Sequence, residues 1–388
     1  MSKIDLKSPD LYINRELSWL EFNDRVMREG LSDDVPLLER LKFLAIVSSN
    51  LDEFFMIRVA GLMQQRSANV NRPDPSGLSP SEQLDAISRR THRMVAEQTE
   101  GIRKLLDLLA DKGIRVLELK ELEPQQAKLV RQHFAREVLP VLTPLAAQDL
   151  DPCPLLPGLR LHLGLVIRSK RDKSAEEKVV VVPVPSQLSR FVAVPADEGL
   201  RLVRLESVIA AGAGQVFPGC EVLATAFFRI TRDGNVEIQD DDASDLLHVV
   251  EEAVHTRRRR AAVRLEVSTG ADSRILDWLT TTLQLNPEDV YHIDGILDAG
   301  AFWSIVNRPG YDALRLPDWP PQQPRELIGV EDLWQVLDER DVLLVHPYES
   351  FEPVVQMVER AAEDPSVLAI KQTLYRTSGD SPIVRALE

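Results

Sequence analysis

Asn50 is the first side chain whose type and position could serve chemistry. It closes the stretch Ser48-Ser49-Asn50, which interrupts an apolar helical pattern, and Glu53 follows it at capping-box spacing. A helix that begins here would offer free backbone N–H groups to an anion such as phosphate. The alternative is that Asn50 only caps its own helix, and the neighbouring Asp52 and Glu53 would repel a phosphate group.

Arg376 is the second candidate. It follows the apolar run Leu368 to Tyr375, which predicts a strand, and therefore lies at the carboxyl end of that strand. In parallel α/β sheets ligands bind at this edge, and the planar guanidinium fork matches phosphate oxygens. Lys371 lies on the same predicted strand. The alternative is a surface arginine held in an ion pair.

Three further groups carry charge or a nucleophile, and each has a structural alternative. The run Arg257–Arg260 could bind polyanions or form the solvated end of a helix. Asp240–Asp242, with Asp245, could bind a metal or begin a helix, and its spacing matches no EF-hand loop. His346 follows a predicted strand but has no evident positioned partner or phosphate clamp, so we predict a loop role for it.

Composition limits the classes of protein that need to be considered. The 388 residues are 44% hydrophobic and 28% charged, with a net charge of −15, as in an ordinary globular protein of two or three domains. The acidic balance argues against nonspecific nucleic-acid binding. No apolar run reaches the about 18 residues of a membrane span. Cys153 and Cys220 alone cannot form a disulfide framework or a thiolate metal site, so a cytoplasmic location is expected.

The elements that would position these residues change in type along the chain. Helices are predicted from Asn14 or Ser18, from Pro36, and after Asn50. The cap Ser79 with Pro80 and Glu82 predicts a fourth helix that runs to Lys112. A helix of this length indicates packing against other long helices, in this chain or in a partner.

Residues 114–325 are predicted to form one α+β domain with a largely antiparallel sheet. Leu159–Ile167 alternates like a half-buried strand, Val179–Val182 is a short β-branched run, and Asp233-Gly234 predicts a hairpin between Val222–Ile230 and Asn235–Ile238. Helical patterns intervene near 124–137, 244–258 and 273–284.

A third region follows the proline-rich segment 317–324, which we interpret as a linker. Strands over 341–345 and 367–375 enclose a helical pattern over 351–362, an order that predicts a βαβ unit with a parallel sheet. Such a domain does not close in roughly 60 residues, so we expect the chain to be the N-terminal part of a longer protein. The predicted domains are therefore 1–113, 114–325 and 326–388.

Several long strings of residues carry a resemblance to one family. They are YINRELSWLEF (12–22), PLLERLKFL (36–44), SSNLDEFF (48–55), TRD (231–233), DVY (289–291), DVLLVHPY (341–348) and LAIKQTLYR (368–376). With them the chain resembles the polyphosphate kinase 1 family from about residue 11 onwards. The resemblance implies a multidomain α and α+β fold: a helical N-terminal domain, an α+β head domain, and the start of a phospholipase-D-like α/β catalytic domain.

The resemblance also implies an activity and assigns two residues. Family members transfer the terminal phosphate of ATP reversibly to inorganic polyphosphate, with ADP as product, through a phosphohistidine. Asn50 matches the family's asparagine at the nucleotide, and Arg376 matches an arginine at the Mg²⁺–phosphate site. A guanidinium has no lone pair for a metal, so we interpret Arg376 as a phosphate clamp beside the ion.

Further implications concern the nucleophile, assembly and location. The phosphorylated histidine and most of the ATP pocket are expected beyond residue 388. No catalytic residue is therefore assigned in this chain, and the chain alone is expected to be inactive. A homo-oligomer, dimer or tetramer, is expected, without nucleic acid or a transmembrane segment, in the cytoplasm or at the membrane surface. Two alternatives remain: a noncatalytic dimerisation or scaffold module, and a phospholipase-D-like phosphodiesterase, which would need a His-x-Lys motif that is not present here.

Overall fold

The computed structural model describes residues 5–145, 156–172, 176–234, 261–374 and 380–388. The chain divides into two compact units, Met1–Arg315 and Leu316–Glu388. The predicted change from a helical to an α+β domain at residue 114 falls inside the first unit, and the three predicted domain ranges stay predictions. The predicted strand 235–238, the helix 244–258, Asp240–Asp242 and Arg257–Arg260 lie outside the described residues, as does Cys153.

The first unit begins with helices whose ends follow local signals. They are α1 (Arg15–Leu31), α2 (Leu37–Phe54), α3 (Ala60–Ser67) and α4 (Pro80–Asp111). The side chain of Asn14 caps α1 by accepting from the backbone N–H groups of Glu16 and Leu17, at 3.1 and 2.9 Å. Ser79 and Glu82 form a reciprocal capping box at the start of α4. The predicted starts of these two helices are confirmed.

The predicted helix start at Asn50 was wrong. Helix α2 continues through Ser48-Ser49-Asn50 to Phe54, and a π-helical turn, Phe55–Val59, joins it to α3. The Ser49 hydroxyl donates to the carbonyl of Ala45 at 3.3 Å, so this serine is satisfied inside the helix instead of ending it. Leu51 is buried and continues the apolar face. Asn50 therefore has no free backbone N–H groups beside it for an anion.

Helix α4 is covered by its own chain. It packs against α1, α2 and α3. Its apolar stripe is buried at Leu84, Ile87, Met94, Val95, Ile102, Leu105 and Leu109. A side chain at Gly101 would collide with Leu31, so this glycine lets the two helices approach closely. The stripe thus gives no reason to expect a partner protomer, and assembly stays a prediction from the resemblance.

The rest of the first unit holds two sheets with helices packed on them. The strands are β1 (Ile114–Leu117), β2 (Leu161–Ser169), β3 (Lys178–Pro183), β4 (Phe191–Val194), β5 (Leu200–Arg204), β6 (Cys220–Arg232), β7 (Ala262–Ser268) and β8 (Val290–Ile293). The helices are α5 (Pro124–His133), α6 (Leu205–Val216), α7 (Ser273–Leu283) and α8 (Trp303–Val306). A π-helical turn, Phe134–Val138, continues α5.

The strand order is β1-β5-β4 in one sheet and β3-β2-β6-β7-β8 in the other. The pairs β1–β5 and β7–β8 are parallel and the remaining pairs are antiparallel, which confirms the largely antiparallel prediction. One hydrophobic core continues from the helices onto one face of the larger sheet, and a second core covers the opposite face. The helical and α+β parts are therefore joined through shared core.

Strand β2 is buried on both faces, and the one-sided burial predicted for it was wrong. Residues Leu161 to Ile167 are all buried. Leu163 and Leu165 belong to the core shared with the helices, whereas Val166 faces the second core. Alternation in the sequence cannot show that a second layer covers the other face, because that layer comes from distant residues.

Among the described residues of the second unit, the regular elements are helices. Its helices are α9 (Leu333–Glu339), α10 (Glu352–Glu363) and α11 (Pro382–Leu387), and α10 confirms the helix predicted over 351–362. The strands predicted over 341–345 and 367–375 are absent among the described residues 316–374, which hold one isolated bridge, Gln322 to Glu349. Leu343 and Leu368 are 79% and 98% exposed. A strand needs hydrogen-bonded neighbours, and the described residues of this unit supply none.

Candidate functional site

Asn50 belongs to an amide relay that links three helices. It is half-buried near the end of α2, and its Nδ2 donates to Oδ1 of Asn23 on α1 at 2.9 Å. Asn23 is 0% exposed. Its own Nδ2 donates to the carbonyl of Val47 at 3.3 Å and lies 3.6 Å from Sδ of Met94 on α4. The buried amide of Asn23 therefore holds the side chain of Asn50 in place.

The relay does not use the side-chain oxygen of Asn50, Oδ1. No hydrogen bond from another described residue reaches Oδ1 of Asn50. Every fully buried polar side-chain atom that lacks a partner among the described residues belongs to His162 or Arg168. Oδ1 of Asn50 is not one of these atoms, so solvent can reach it. The side chain can therefore form a hydrogen bond with a ligand without first losing one to the protein.

Two residues further along α2, Asp52 enters a buried ion cluster. It accepts from Nη1 of Arg229 on β6 at 2.7 Å and from Nη2 of Arg264 on β7 at 2.5 Å. Glu266, the cross-strand neighbour of Arg229, accepts from Nη1 of Arg229 at 2.8 Å. Two carboxylates and two guanidinium groups thus compensate each other, and they tie α2 to the larger sheet.

The charges of this cluster determine its titration. Burial alone would raise the pKa of Asp52, but the hydrogen bonds and charges of Arg229 and Arg264 outweigh burial and hold that pKa below its ordinary value. Burial opposes the charged form of Arg229, yet Glu266 and Asp52 keep the pKa of Arg229 well above its ordinary value. Asp52 and Arg229 are therefore both ionised at neutral pH.

The cluster continues through Asp298 to a third arginine, Arg190. Oδ1 of Asp298 lies 3.8 Å from Nη2 of Arg229, and Oδ2 lies 3.3 Å from Nη1 of Arg190. Arg190 donates twice to Glu206 on α6, at 2.8 Å each. Burial raises the pKa of Asp298 despite the two arginines. Asp298 also has φ 57°, a left-handed backbone that an aspartate tolerates better than most residues.

An aromatic cluster lies against the same ions and ties α4 to β8. The guanidinium of Arg264 lies over the ring of Phe55, 4.6 Å from its centroid. Phe55 packs edge-on against Tyr291, whose hydroxyl is 2.6 Å from Oγ1 of Thr91. Burial raises the pKa of Tyr291 to about 12. These contacts fix the π-helical turn that follows Asn50 and Asp52.

The other predicted site residues are placed as follows. Arg376 lies outside the described residues, so its role stays a prediction. Lys371 is exposed and belongs to no strand. Nδ1 of His346 is 2.9 Å from the carbonyl oxygen of Glu349, an oxygen that can only accept, which agrees with the loop role predicted for this histidine.

Sequence reasoning missed Asn23 and the ion cluster, although signals for both were present. Asn23 lies on the buried stripe of α1 with Leu20 and Met27, so it is a polar residue at a core position. Arg229 and Arg264 interrupt apolar strand runs in the same way. A charged or amide side chain inside an apolar period predicts a buried partner, but it does not say which residue that partner is.

Three sequence profiles match the chain in order. They describe the polyphosphate kinase N-terminal domain, over residues 12–117, the polyphosphate kinase middle domain, over residues 125–305, and the polyphosphate kinase C-terminal domain 1, over residues 332–388. The middle-domain match includes Arg229 and Arg264, and the N-terminal match includes Asn23, Asn50 and Asp52.

Relatives and a solved structure agree with these profiles. A polyphosphate kinase of Halalkalibacterium halodurans is 44% identical over 392 residues, covering 100% of this chain and 56% of the relative. One of Thermosynechococcus vestitus is 40% identical over 417 residues, covering 99% of this chain and 57% of the relative. The crystal structure of the polyphosphate kinase of Porphyromonas gingivalis has the same fold, with a TM-score of 0.76 at 24% identity, over 97% of this chain and 53% of that one.

The chain therefore spans about half the length of the curated relatives it matches. Within that span, the three family domains occur in order, and the matches to the relatives extend over nearly every residue. The ordered domains and the sequence identity together show that this chain belongs to the polyphosphate kinase family.

Proposed function

We propose that the protein acts as a polyphosphate kinase, which transfers the terminal phosphate of ATP reversibly to inorganic polyphosphate and releases ADP. The observation that carries this proposal is the match of three polyphosphate kinase domains, in order, along one chain. Relatives that bear this name are 40–44% identical over nearly the whole chain. The two alternatives, a scaffold module and a phosphodiesterase, have no such support.

In this proposal Asn50 contributes to the nucleotide site. Its side chain is held by Asn23 and keeps an open oxygen, and the ion cluster around Asp52 fixes the end of α2 that carries it. Phosphoryl transfer depends mainly on positioning and on neutralisation of charge. A rigid helix end that aligns one part of the nucleotide meets the first of these needs.

The residue that meets the second need, neutralisation of charge, is assigned by resemblance. We propose that Arg376 clamps a phosphate group beside Mg²⁺, and that a histidine nitrogen takes the terminal phosphoryl group from ATP, releases ADP, and passes the group to the end of the polymer. Within the described ranges, no group of three or more His, Cys, Asp or Glu side chains is arranged to hold a metal ion. We therefore assign the described residues no step that depends on the ion.

Assembly and location are the coarser parts of the proposal. A homo-oligomer is proposed from the family resemblance alone, since the stripe of α4 is covered within the chain. A cytoplasmic location is likewise a proposal. Within the part of the chain that the structure describes, no helix combines the length and the apolar character needed to cross a bilayer.

Two measurements test the proposed function. The whole protein, incubated with Mg²⁺, γ-labelled ATP and a polyphosphate primer, should lengthen the polymer and carry an acid-labile phosphate during turnover. In a calorimetric titration, the whole protein should bind ATP. Hydrolysis of bis(p-nitrophenyl) phosphate without transfer from ATP would instead indicate a phosphodiesterase and would overturn the proposal.

A further inference from the structure

We propose that an extended, acidic segment of a partner protein docks on the outer edge of strand β4, where it pairs with the backbone of Ala193. In the three-stranded sheet β4 is the last strand, with β5 on one side and no described strand on the other. The proposed function gives this edge no role, so the inference does not depend on that function.

The pairing of β4 with β5 decides which backbone groups of β4 point outwards. The N–H of Leu205 donates to the carbonyl of Arg190 at 2.9 Å, just beyond the end of the ladder. Hydrogen-bonded pairs alternate along an antiparallel ladder, so Val192 bonds to β5 in the same way. The N–H and C=O groups of Phe191 and Ala193 therefore point away from β5.

Side chains close the two ends of this edge, but its middle is open. The Ser189 hydroxyl donates to the carbonyl of Phe191 at 3.0 Å, and Nε2 of Gln126 donates to the carbonyl of Pro195 at 2.6 Å. Ala193 is exposed, and no group in the described part of the chain bonds to its outward N–H or C=O. The open part of the edge is therefore centred on Ala193.

The larger sheet shows the same kind of edge when it is filled. On its edge strand β3, Val181 accepts from the N–H of Leu145 at 2.8 Å and donates to the Leu145 carbonyl at 3.0 Å. A residue of the same chain thus fills that edge, whereas no described residue does so at Ala193. An exposed edge residue with both backbone groups free is a template for an incoming strand.

A groove beside Ala193 supplies further contacts for such a strand. It has a volume of about 340 Å³ and lies between β4 and α5, with the π-helical turn that continues α5. Leu129, which is 38% exposed, gives it an apolar wall. His133 and Glu137 contact each other across 3.3 Å, from Nδ1 to Oε2. Arg136 also lines the groove, and it is exposed without a partner among the described residues.

The surface on this side of the groove is basic, although the whole chain has a net charge of −15. Lys128 and Arg131 are exposed on α5, and like Arg136 they form no ion pair with any residue that the structure describes. Residues 124–138 contain a single carboxylate, Glu137. Charge complementarity therefore selects a partner segment that carries carboxylates.

The test is a titration of the whole protein with a fluorescein-labelled peptide of alternating glutamate and valine, followed by fluorescence anisotropy. Valine favours an extended backbone, and glutamate supplies the charge. The peptide should bind. A version with every peptide nitrogen methylated should bind about three- to tenfold more weakly, because it cannot donate to the Ala193 carbonyl. A peptide of alternating lysine and valine should also bind more weakly.

Two substitutions assign the binding to this edge. Ala193→Pro removes the outward N–H and should weaken binding about three- to tenfold while the fold is kept, because β5 does not use that N–H. Arg136→Glu should weaken binding of the glutamate peptide and strengthen binding of the lysine peptide, by about two- to fivefold each. Arg89→Glu, at an exposed position of α4, is the matched control and should change neither.

The outcomes separate a partner segment from other occupants. Equal binding of the glutamate and lysine peptides, full binding by a folded Ala193→Pro protein, or no binding to the unsubstituted protein would overturn the inference. So would a lower mass of Ala193→Pro in light scattering, which would show a second copy of the chain on this edge. If circular dichroism shows that Ala193→Pro is unfolded, hydrogen exchange of the Ala193 amide decides, since the bound peptide should slow it and an unchanged rate would refute the pairing.

Discussion

At the scale of single residues, Asn50 shows how a capping motif can predict a helix start at a place where the helix continues. It lies inside α2 and not at a helix start, so the ligand role proposed for it would depend on its side chain. An anion site made by backbone N–H groups would tolerate replacement of the Asn50 side chain. A site made by the side-chain amide would not. This difference makes the role of Asn50 testable by substitution.

Asn50→Ala should raise the KM for ATP of the whole protein by about three- to tenfold, the value of one or two neutral hydrogen bonds. Stability should fall by about 1 kcal/mol, because Oδ1 of the buried Asn23 loses its donor. Steady-state kinetics and thermal unfolding measure the two effects. Ser49→Ala, at the exposed neighbouring position, is the control. An unchanged KM with lowered stability would contradict a ligand role.

His162 is a second residue with a consequence for stability. It is buried in β2, stacked on Phe228, and neither ring nitrogen has a hydrogen-bond partner among the described residues. Burial, with the nearby charges of Arg160 and Arg232, lowers its pKa to about 4. The unfolded chain therefore takes up this proton at a higher pH than the folded chain does.

The sign of the pH effect follows directly. Stability from neutral His162 should be complete above about pH 6.5 and should fall by up to about 3 kcal/mol as the pH drops towards 4. His162→Leu should flatten the pH dependence of the unfolding free energy in this range, measured by urea denaturation. The exposed His292, changed to Gln, should leave the slope unaltered. A slope that survives in His162→Leu would count against this assignment.

At the scale of elements, the ion cluster decides how α2 meets the sheet. Asp52→Asn keeps the shape of the side chain but leaves Arg229 and Arg264 with excess positive charge in the interior. We expect a loss of about 3–5 kcal/mol in the free energy of unfolding, measured in urea. Glu53→Gln, the exposed neighbour, should change it by less than about 0.5 kcal/mol. Similar values for the two variants would show that the cluster is solvated.

Helix α6 offers a matched pair of glycines. A methyl group at Gly212 would collide with the ring of Phe134, whereas one at Gly214 would meet no atom within 4 Å. Gly212→Ala should therefore destabilise the protein by about 1–3 kcal/mol. Gly214→Ala should stabilise it by up to about 1 kcal/mol, because alanine favours the helix. Thermal unfolding of both variants tests the packing of α6 on the turn 134–138, and the same sign for both would contradict it.

At the scale of the whole molecule, α4 is internal to the first unit. Leu105, on its stripe, is 0% exposed, and Leu108, on the outer side, is 41% exposed. Leu105→Ala should cost about 2–5 kcal/mol of unfolding free energy without changing the mass measured by light scattering. Leu108→Ala should have little effect on either quantity. A fall in mass with unchanged stability for Leu105→Ala would restore the interpretation that this stripe packs on a partner.

The sequence by itself determined the features that depend on neighbours within one helical turn or one strand. Asn14 caps α1, and Ser79 with Glu82 caps α4, because a cap is a hydrogen bond between residues two or three positions apart. The runs at 161–169 and 178–183 form strands, as their β-branched residues indicate. The family resemblance was readable for a similar reason, since its strings are contiguous.

Only the tertiary structure decided the pairings between distant residues. Asp52 and Arg229 are separated by 177 positions, and Asn23 and Asn50 by 27. Helix α2 runs through Ser48-Ser49-Asn50 because packing of Leu51 on the core outweighs the weak helix preference of three polar residues. Local preferences are small and short in range, whereas burial and charge compensation are large and depend on which surfaces meet. The hydrogen bond that holds Asn50 against Asn23 therefore depends on the packing of α1 on α2.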